Sequence, residues 1–80
     1  MHYVYVIISE VDRRMYVGMT QDVQKRLSQH NSGHTKSTKG YMPWNIFLIE
    51  KFATREEARK REVYLKSGYG KQWLKSKLKA

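Results

Sequence analysis

Two neighbouring stretches, 3-YVYVII-8 and 15-MYVGMT-20, make the start of the chain a β-hairpin. The first is β-branched and aromatic at successive positions and short enough to be a strand. The polar stretch from Ser9 to Arg13 turns the chain, and Arg14 to Met19 reads as the second, antiparallel strand. Within that strand Gly18 weakens the sheet while Tyr16 brings an acidic hydroxyl. Both residues ask for a purpose beyond strand formation.

Outward from the hairpin, Thr20 is placed to cap a helix over Gln21 to about Gln29, with Asp22 in its first turn. Val23 and Leu27 are four apart and face the core, and Arg26 and His30, also four apart, share its edge. Asn31, Ser32 and Gly33 end this helix. The next stretch, 32-SGHTKSTKGYMP-43, is polar, basic and without periodicity, a length that suggests a functional or mobile loop. The run 44-WNIFLIEKF-52 is a strand whose centre is apolar at successive positions, which predicts a central strand covered on both faces. Thr54 and Glu57 have capping-box spacing and open a helix to about Lys66, on which Glu62 lies between the apolar positions Ala58 and Leu65. Gly68 stops it, and Lys71 to Leu78 make a last short helix with Trp73, Leu74 and Leu78 inward. The expected fold class is α+β in the order β-β-α-β-α-α, a three-stranded, mainly antiparallel sheet flanked by helices.

Eighty residues allow one domain, 1–80, with one modest core. The absence of cysteine excludes a disulfide framework and a thiolate zinc site. Nothing approaches the roughly 20 apolar residues that span a bilayer, and the N-terminus lacks the pattern of a secretory signal. A soluble, cytoplasmic protein that does not engage membranes is expected. Sixteen Lys and Arg against seven Asp and Glu leave a formal charge of +9, which favours a polyanionic partner through counterion release. The plainer use of such charge is solubility.

Four features break local expectation, and each has a structural explanation when taken singly. Tyr5 and Tyr16 fit a half-buried pleat as packing residues. Arg26 suits a solvated helix face or a phosphate clamp, His30 complements a helix C-terminus, and Glu62 can pair with Arg55, Arg59 or Lys66 on its own helix. His30 and His34 have metal-like spacing, but Gly33 interrupts the helix between them and no third ligand is evident. Together the set suits phosphodiester hydrolysis. A hard cation such as Mg²⁺ needs only one or two protein carboxylates, a part open to Glu62. Arg26 can neutralise charge growing on phosphoryl oxygens, and tyrosine hydroxyls can position or deprotonate water.

The pattern Tyr3-Val4-Tyr5, then Tyr16-Val17-Gly18, Arg26, His30-Asn31 and Glu62 resembles the GIY-YIG nuclease superfamily, and in particular its small, single-domain bacterial branch. The resemblance runs from Tyr3 to about Leu74 and includes the Pro-Trp pair before the third strand and the TREEA that opens the second helix. It implies a metal-dependent endonuclease acting on DNA in repair or recombination, with a single Mg²⁺ or Mn²⁺ held by Glu62. It further implies catalytic roles for Tyr5, Tyr16, Arg26 and His30, and a backbone at Gly18 that lets substrate or metal approach. Two departures stand out: Tyr3 replaces the first glycine of the name motif, and the downstream asparagine of many members has no clear counterpart near 66-KSGYGKQW-73.

An ordinary tyrosine, with a pKa near ~10, is phenolate about once in a thousand at pH 7. Tyr16 as base or proton relay, with Tyr5 orienting the nucleophile, therefore competes with His30 as base, whose reference pKa near ~6.5 suits the task better. The expected partners are nucleic acid, DNA in preference to RNA, and a protein that supplies target choice, with the chain itself monomeric. Arg13, Arg14, Lys25, Lys36, Lys39 and Lys71 are the candidate phosphate contacts. The competing function is a non-catalytic nucleic-acid-binding module of the same fold.

Overall fold

The computed structural model describes residues 1–79. Strands β1 (His2–Ser9) and β2 (Met15–Thr20) form the expected hairpin, followed by helix α1 (Val23–Asn31), a 3₁₀ turn at Lys39–Tyr41, strand β3 (Trp44–Phe52) and helices α2 (Arg55–Lys66) and α3 (Gly68–Lys79). The fold is α+β, with a three-stranded antiparallel sheet in the order β2-β1-β3.

β1 is the central strand, and β3, expected there, forms an edge. Val4 to Ser9 are all buried, whereas Ile49 on β3 is 43% exposed. The apolar run on β3 has a different cause from burial on both faces. Register shifts between Val6 and Ile7, so that Val6 opposes Leu48 and Ile7 opposes Ile46, leaving Phe47 as the extra residue of a bulge. Phe47 and Leu48 then pack into one cluster while Ile46 joins the other.

Alternation along β1 divides the core into two layers. Val4 and Val6 pack with Val17, Ala58, Leu65 and Leu74 beneath α2 and α3. Tyr5 and Ile7 pack with Val23 and Trp44 on the α1 side, where Tyr16 and Leu27 join them.

Helix α1 begins two residues later than expected, because Asp22 and not Thr20 is its cap: the Asp22 carboxylate accepts from the Lys25 amide at 3.0 Å. Thr20 acts one step earlier, its hydroxyl accepting from the Asp22 amide. Asn31, expected to break the helix, is its last residue and clamps β3 to it. Its side-chain oxygen accepts from the Trp44 amide at 2.7 Å while its nitrogen donates to the Trp44 carbonyl at 3.0 Å.

The capping box at Thr54 and Glu57 forms as expected. Gly68, expected to stop a helix, starts α3, so this helix is longer than the Lys71–Leu78 segment anticipated. Gly70 makes the sharp α2–α3 corner possible, because a Cβ there would collide with the Tyr64 carbonyl and the backbone of Leu65. Among the described residues no helix is long and apolar enough to cross a membrane.

Candidate active site

The hairpin register sets Tyr5 opposite Gly18 and Ile7 opposite Tyr16, which makes Tyr5 and Tyr16 diagonal neighbours on the α1 face. Their ring centroids lie 6.4 Å apart. His30, one helical turn after Arg26, reaches between them: its centroid is 5.9 Å from Tyr5, and at 4.9 Å Tyr16 meets it edge to face. Gly18 serves this cluster in an unexpected way. The space a Cβ would occupy is filled by the hydroxyl and ring of Tyr5, so the glycine admits Tyr5 and leaves no opening there for substrate or metal.

His30 was expected at the edge of the buried face, and the fold encloses it completely. The Tyr5 hydroxyl and His30 Nε2 are 2.9 Å apart, and His30 Nδ1 and the Thr38 hydroxyl 2.8 Å. Thr38 is itself fully buried, and its hydroxyl donates to the Thr35 carbonyl at 3.2 Å. The Thr38 hydroxyl has a single proton, and where the Thr35 carbonyl takes it Thr38 offers Nδ1 only lone pairs; that arrangement puts the imidazole proton on Nδ1 and makes Nε2 the acceptor for the Tyr5 O–H.

Burial raises the Tyr5 pKa above the ordinary tyrosine value, with the Arg26 guanidinium pulling against it and Tyr16 and Glu62 adding weakly to the rise. Burial also lowers the His30 pKa, and the positive charge of Arg26 lowers it further. Both groups are therefore neutral at pH 7. Tyr16 is only half-buried, and among the described residues its hydroxyl has no hydrogen-bond partner in the chain. Arg26 spends one N–H on the Gln29 side chain at 2.8 Å, leaving most of its fork free.

Glu62 faces inward on α2, its side chain 8% exposed. Arg59 and Lys66 take its two oxygens at 2.6 and 3.2 Å, so the helix supplies two of the three partners anticipated and Arg55 is not among them. Each oxygen keeps a further lone pair, and the Arg59 and Lys66 side chains are 63% and 52% exposed, free to swing away. A lone inward carboxylate of this kind fits a cation that keeps most of its waters. Among the described residues no three His, Cys, Asp or Glu side chains come together, so a denser metal cage is not built.

The candidate phosphate contacts divide into three groups. Arg13, Arg14 and Lys71 line, with Lys66 and Lys75, a groove of about 420 Å³ between β2 and α3 whose floor is Met15, Val17, Leu65, Leu74 and Leu78. Lys25 lines a shallow pocket with Arg26 and Gln29. Lys36 and Lys39 stand exposed on the loop after α1. Arg14 is less available than the others, since it pairs with Asp12 at 2.7 Å and stacks 3.5 Å over the Tyr41 ring.

The family model described as the GIY-YIG catalytic domain matches residues 1–77. The chain belongs to the GIY-YIG family. Its similarity to UPF0213 proteins is close: 42% identity over 67 residues with one from Halobacterium salinarum, covering 82% of this chain and 86% of that one. A UPF0213 protein of Staphylococcus haemolyticus is 36% identical over 75 residues, 92% of this chain and 90% of the relative. The solution NMR structure of a UPF0213 protein from Bacillus halodurans superposes with a TM-score of 0.57 at 36% identity, covering 94% of this chain and 82% of that one.

Within this GIY-YIG fold the two name motifs lie side by side on β1 and β2, and Tyr3 in place of the first glycine packs at the margin of the α1-side cluster. Sequence reasoning missed Thr38. A threonine in a basic loop looks solvated and nothing in the sequence marks it; in the fold the Trp44 indole N–H donates to the Thr38 carbonyl at 2.9 Å. The loop that carries it, 32–43, is pinned over the site by that bond and by Ser9, whose hydroxyl donates to the Tyr41 carbonyl at 2.6 Å.

Proposed function

We propose that this GIY-YIG protein is a single-domain, metal-dependent endonuclease that hydrolyses phosphodiester bonds in DNA, in repair or recombination. The observation that carries the reading is the cluster at Tyr5: its hydroxyl is bonded to His30, Tyr16 lies diagonally beside it, and the positive charge of Arg26 bears on both Tyr5 and His30. Perturbed titration in a cluster of this composition is a signature of reactive sites.

Tyr16 is the residue that meets the attacking water, as base or proton relay. Its hydroxyl is uncommitted, whereas the Nε2 lone pair of His30 is already occupied by Tyr5 and its basicity is reduced by burial. Tyr5 stays neutral and orients, its oxygen turned as an acceptor away from the proton it gives His30. Arg26 neutralises charge on the phosphoryl oxygens at the transition state, where a preformed cation contributes most. Glu62 would hold Mg²⁺ or Mn²⁺, which when bound supplies Lewis-acid polarisation of the phosphoryl oxygen. The substrate's own negative charge, arriving beside Arg26, offsets the repulsion that lowers His30.

A second reading, a non-catalytic nucleic-acid-binding module, draws on Glu62, whose oxygens both have cationic partners within the helix. Incubation with supercoiled, branched and single-stranded DNA in Mg²⁺ or Mn²⁺ against EDTA separates the two. The nuclease reading expects cutting by wild type in metal alone and its loss in Glu62→Ala and Tyr16→Phe. Intact DNA with undiminished binding throughout establishes the binding module instead.

A further inference from the structure

We infer that Thr38 is a positioning residue that fixes the proton of His30 on Nδ1, and through it turns the acceptor face of the Tyr5 hydroxyl toward the reacting groups. This inference rests on the nuclease reading for its consequence, though not for its geometry. A neutral imidazole has two tautomers, and the bond at one nitrogen decides which is present. Thr38 makes that choice. Its hydroxyl is fully buried, gives its proton to the Thr35 carbonyl, and has only lone pairs left to offer Nδ1 at 2.8 Å. Further bonds hold the 35–38 turn in place. The Thr38 amide also donates to the Thr35 carbonyl at 3.1 Å, and the Thr38 carbonyl accepts both the Tyr41 amide at 3.2 Å and the Trp44 indole at 2.9 Å.

The consequence lies two bonds away, at Tyr5. With Nε2 bare, Tyr5 donates to it and keeps its oxygen lone pairs as acceptors, which suits the nearby positive charge of Arg26 and any hydrogen-bond donor on the substrate side. With the proton on Nε2, Tyr5 would have to accept from His30 and aim its own O–H outward, presenting a donor to a guanidinium that can only donate. Orientation at the site is thus governed by a residue that touches no substrate, in a loop whose sequence gives no sign of it. The other tautomer requires the Thr38 hydroxyl to withdraw its proton from the Thr35 carbonyl and give it to Nδ1, which costs one buried hydrogen bond.

The test is the imidazole nitrogen spectrum of ¹⁵N-labelled protein, read beside DNA cleavage in Mg²⁺. For wild type the expected spectrum at neutral pH shows His30 protonated on Nδ1 and bare on Nε2. Thr38→Val, nearly isosteric but with no acceptor, should move the proton wholly or partly to Nε2 and lower the cleavage rate by about 100-fold, the scale of a lost acid–base contribution. Thr38→Ser should restore both. Wild-type protein with the proton on Nε2 overturns the inference without any variant, so a poorly folded Thr38→Val does not shield it. An unchanged tautomer in folded Thr38→Val overturns it as well. If the tautomer shifts as expected but wild type never cuts DNA, Thr38 remains the lock on His30 and the nuclease reading fails by itself.

Discussion

At the scale of single residues the site depends on space as much as on charge. Gly18 is opposite Tyr5 because nothing larger leaves room for the Tyr5 ring. Gly18→Ala should therefore displace that ring, lowering stability by about 1–3 kcal/mol as overpacking does, and should abolish cleavage, both read by urea denaturation and a nicking assay. His30 gives a pH signature. Its folded pKa lies below the unfolded value near ~6.5, so the unfolded chain takes up the proton first as pH falls. Stability should be intact above that point and decline as pH drops through it, and His30→Gln should flatten this part of a denaturation-against-pH profile. Tyr5 acts in the opposite range: with its folded pKa raised, stability declines as pH rises through ~10, where the unfolded tyrosine ionises first. The candidates Tyr5, Tyr16, Arg26, His30 and Glu62 could be picked out in the sequence because polar groups on or beside core-facing positions are conspicuous and because together they match the GIY-YIG pattern. Thr38 could not be, because a turn formed by residues 35–38 has no periodicity that could show its hydroxyl pointing inward.

At the scale of elements, the clearest dependence is that of β3 on α1. Both polar atoms of the Asn31 side chain are bonded to the Trp44 backbone, so the end of the helix fixes where the third strand begins. Asn31→Ala should cost about 1–3 kcal/mol by leaving backbone groups without partners, with faster amide exchange at the start of β3 than elsewhere in the sheet. The hairpin, β3 and α2 were all readable from pattern and capping spacing. Their arrangement was less so. Four successive apolar residues on β3 suggested a central strand, but a bulge at Phe47 produces the same run on an edge, and pairing register is a tertiary property. Gly68 shows a related ambiguity, since one glycine between two helices can end the first or open the second.

At the scale of the whole molecule, nine of the sixteen Lys and Arg behind the formal charge of +9 lie along the groove between β2 and α3, the pocket beside Arg26 and the loop after α1. DNA affinity should fall log-linearly with salt, with a slope of about −0.9 for each phosphate neutralised, and Lys71→Ala should reduce that slope by about one. A flat dependence measured by fluorescence anisotropy would remove nucleic acid as the partner. The division of the core by the sheet has one more consequence. The chain's two tryptophans fall on opposite sides: Trp44 is buried with its indole tied to Thr38 in the loop after α1, while Trp73 on α3 is half-buried with Arg61 and Lys77 over its ring. Each is thus an intrinsic optical reporter for one layer. Two single-tryptophan variants would let the loosening of the α1 face and of the α2–α3 face be timed separately, with no dye attached.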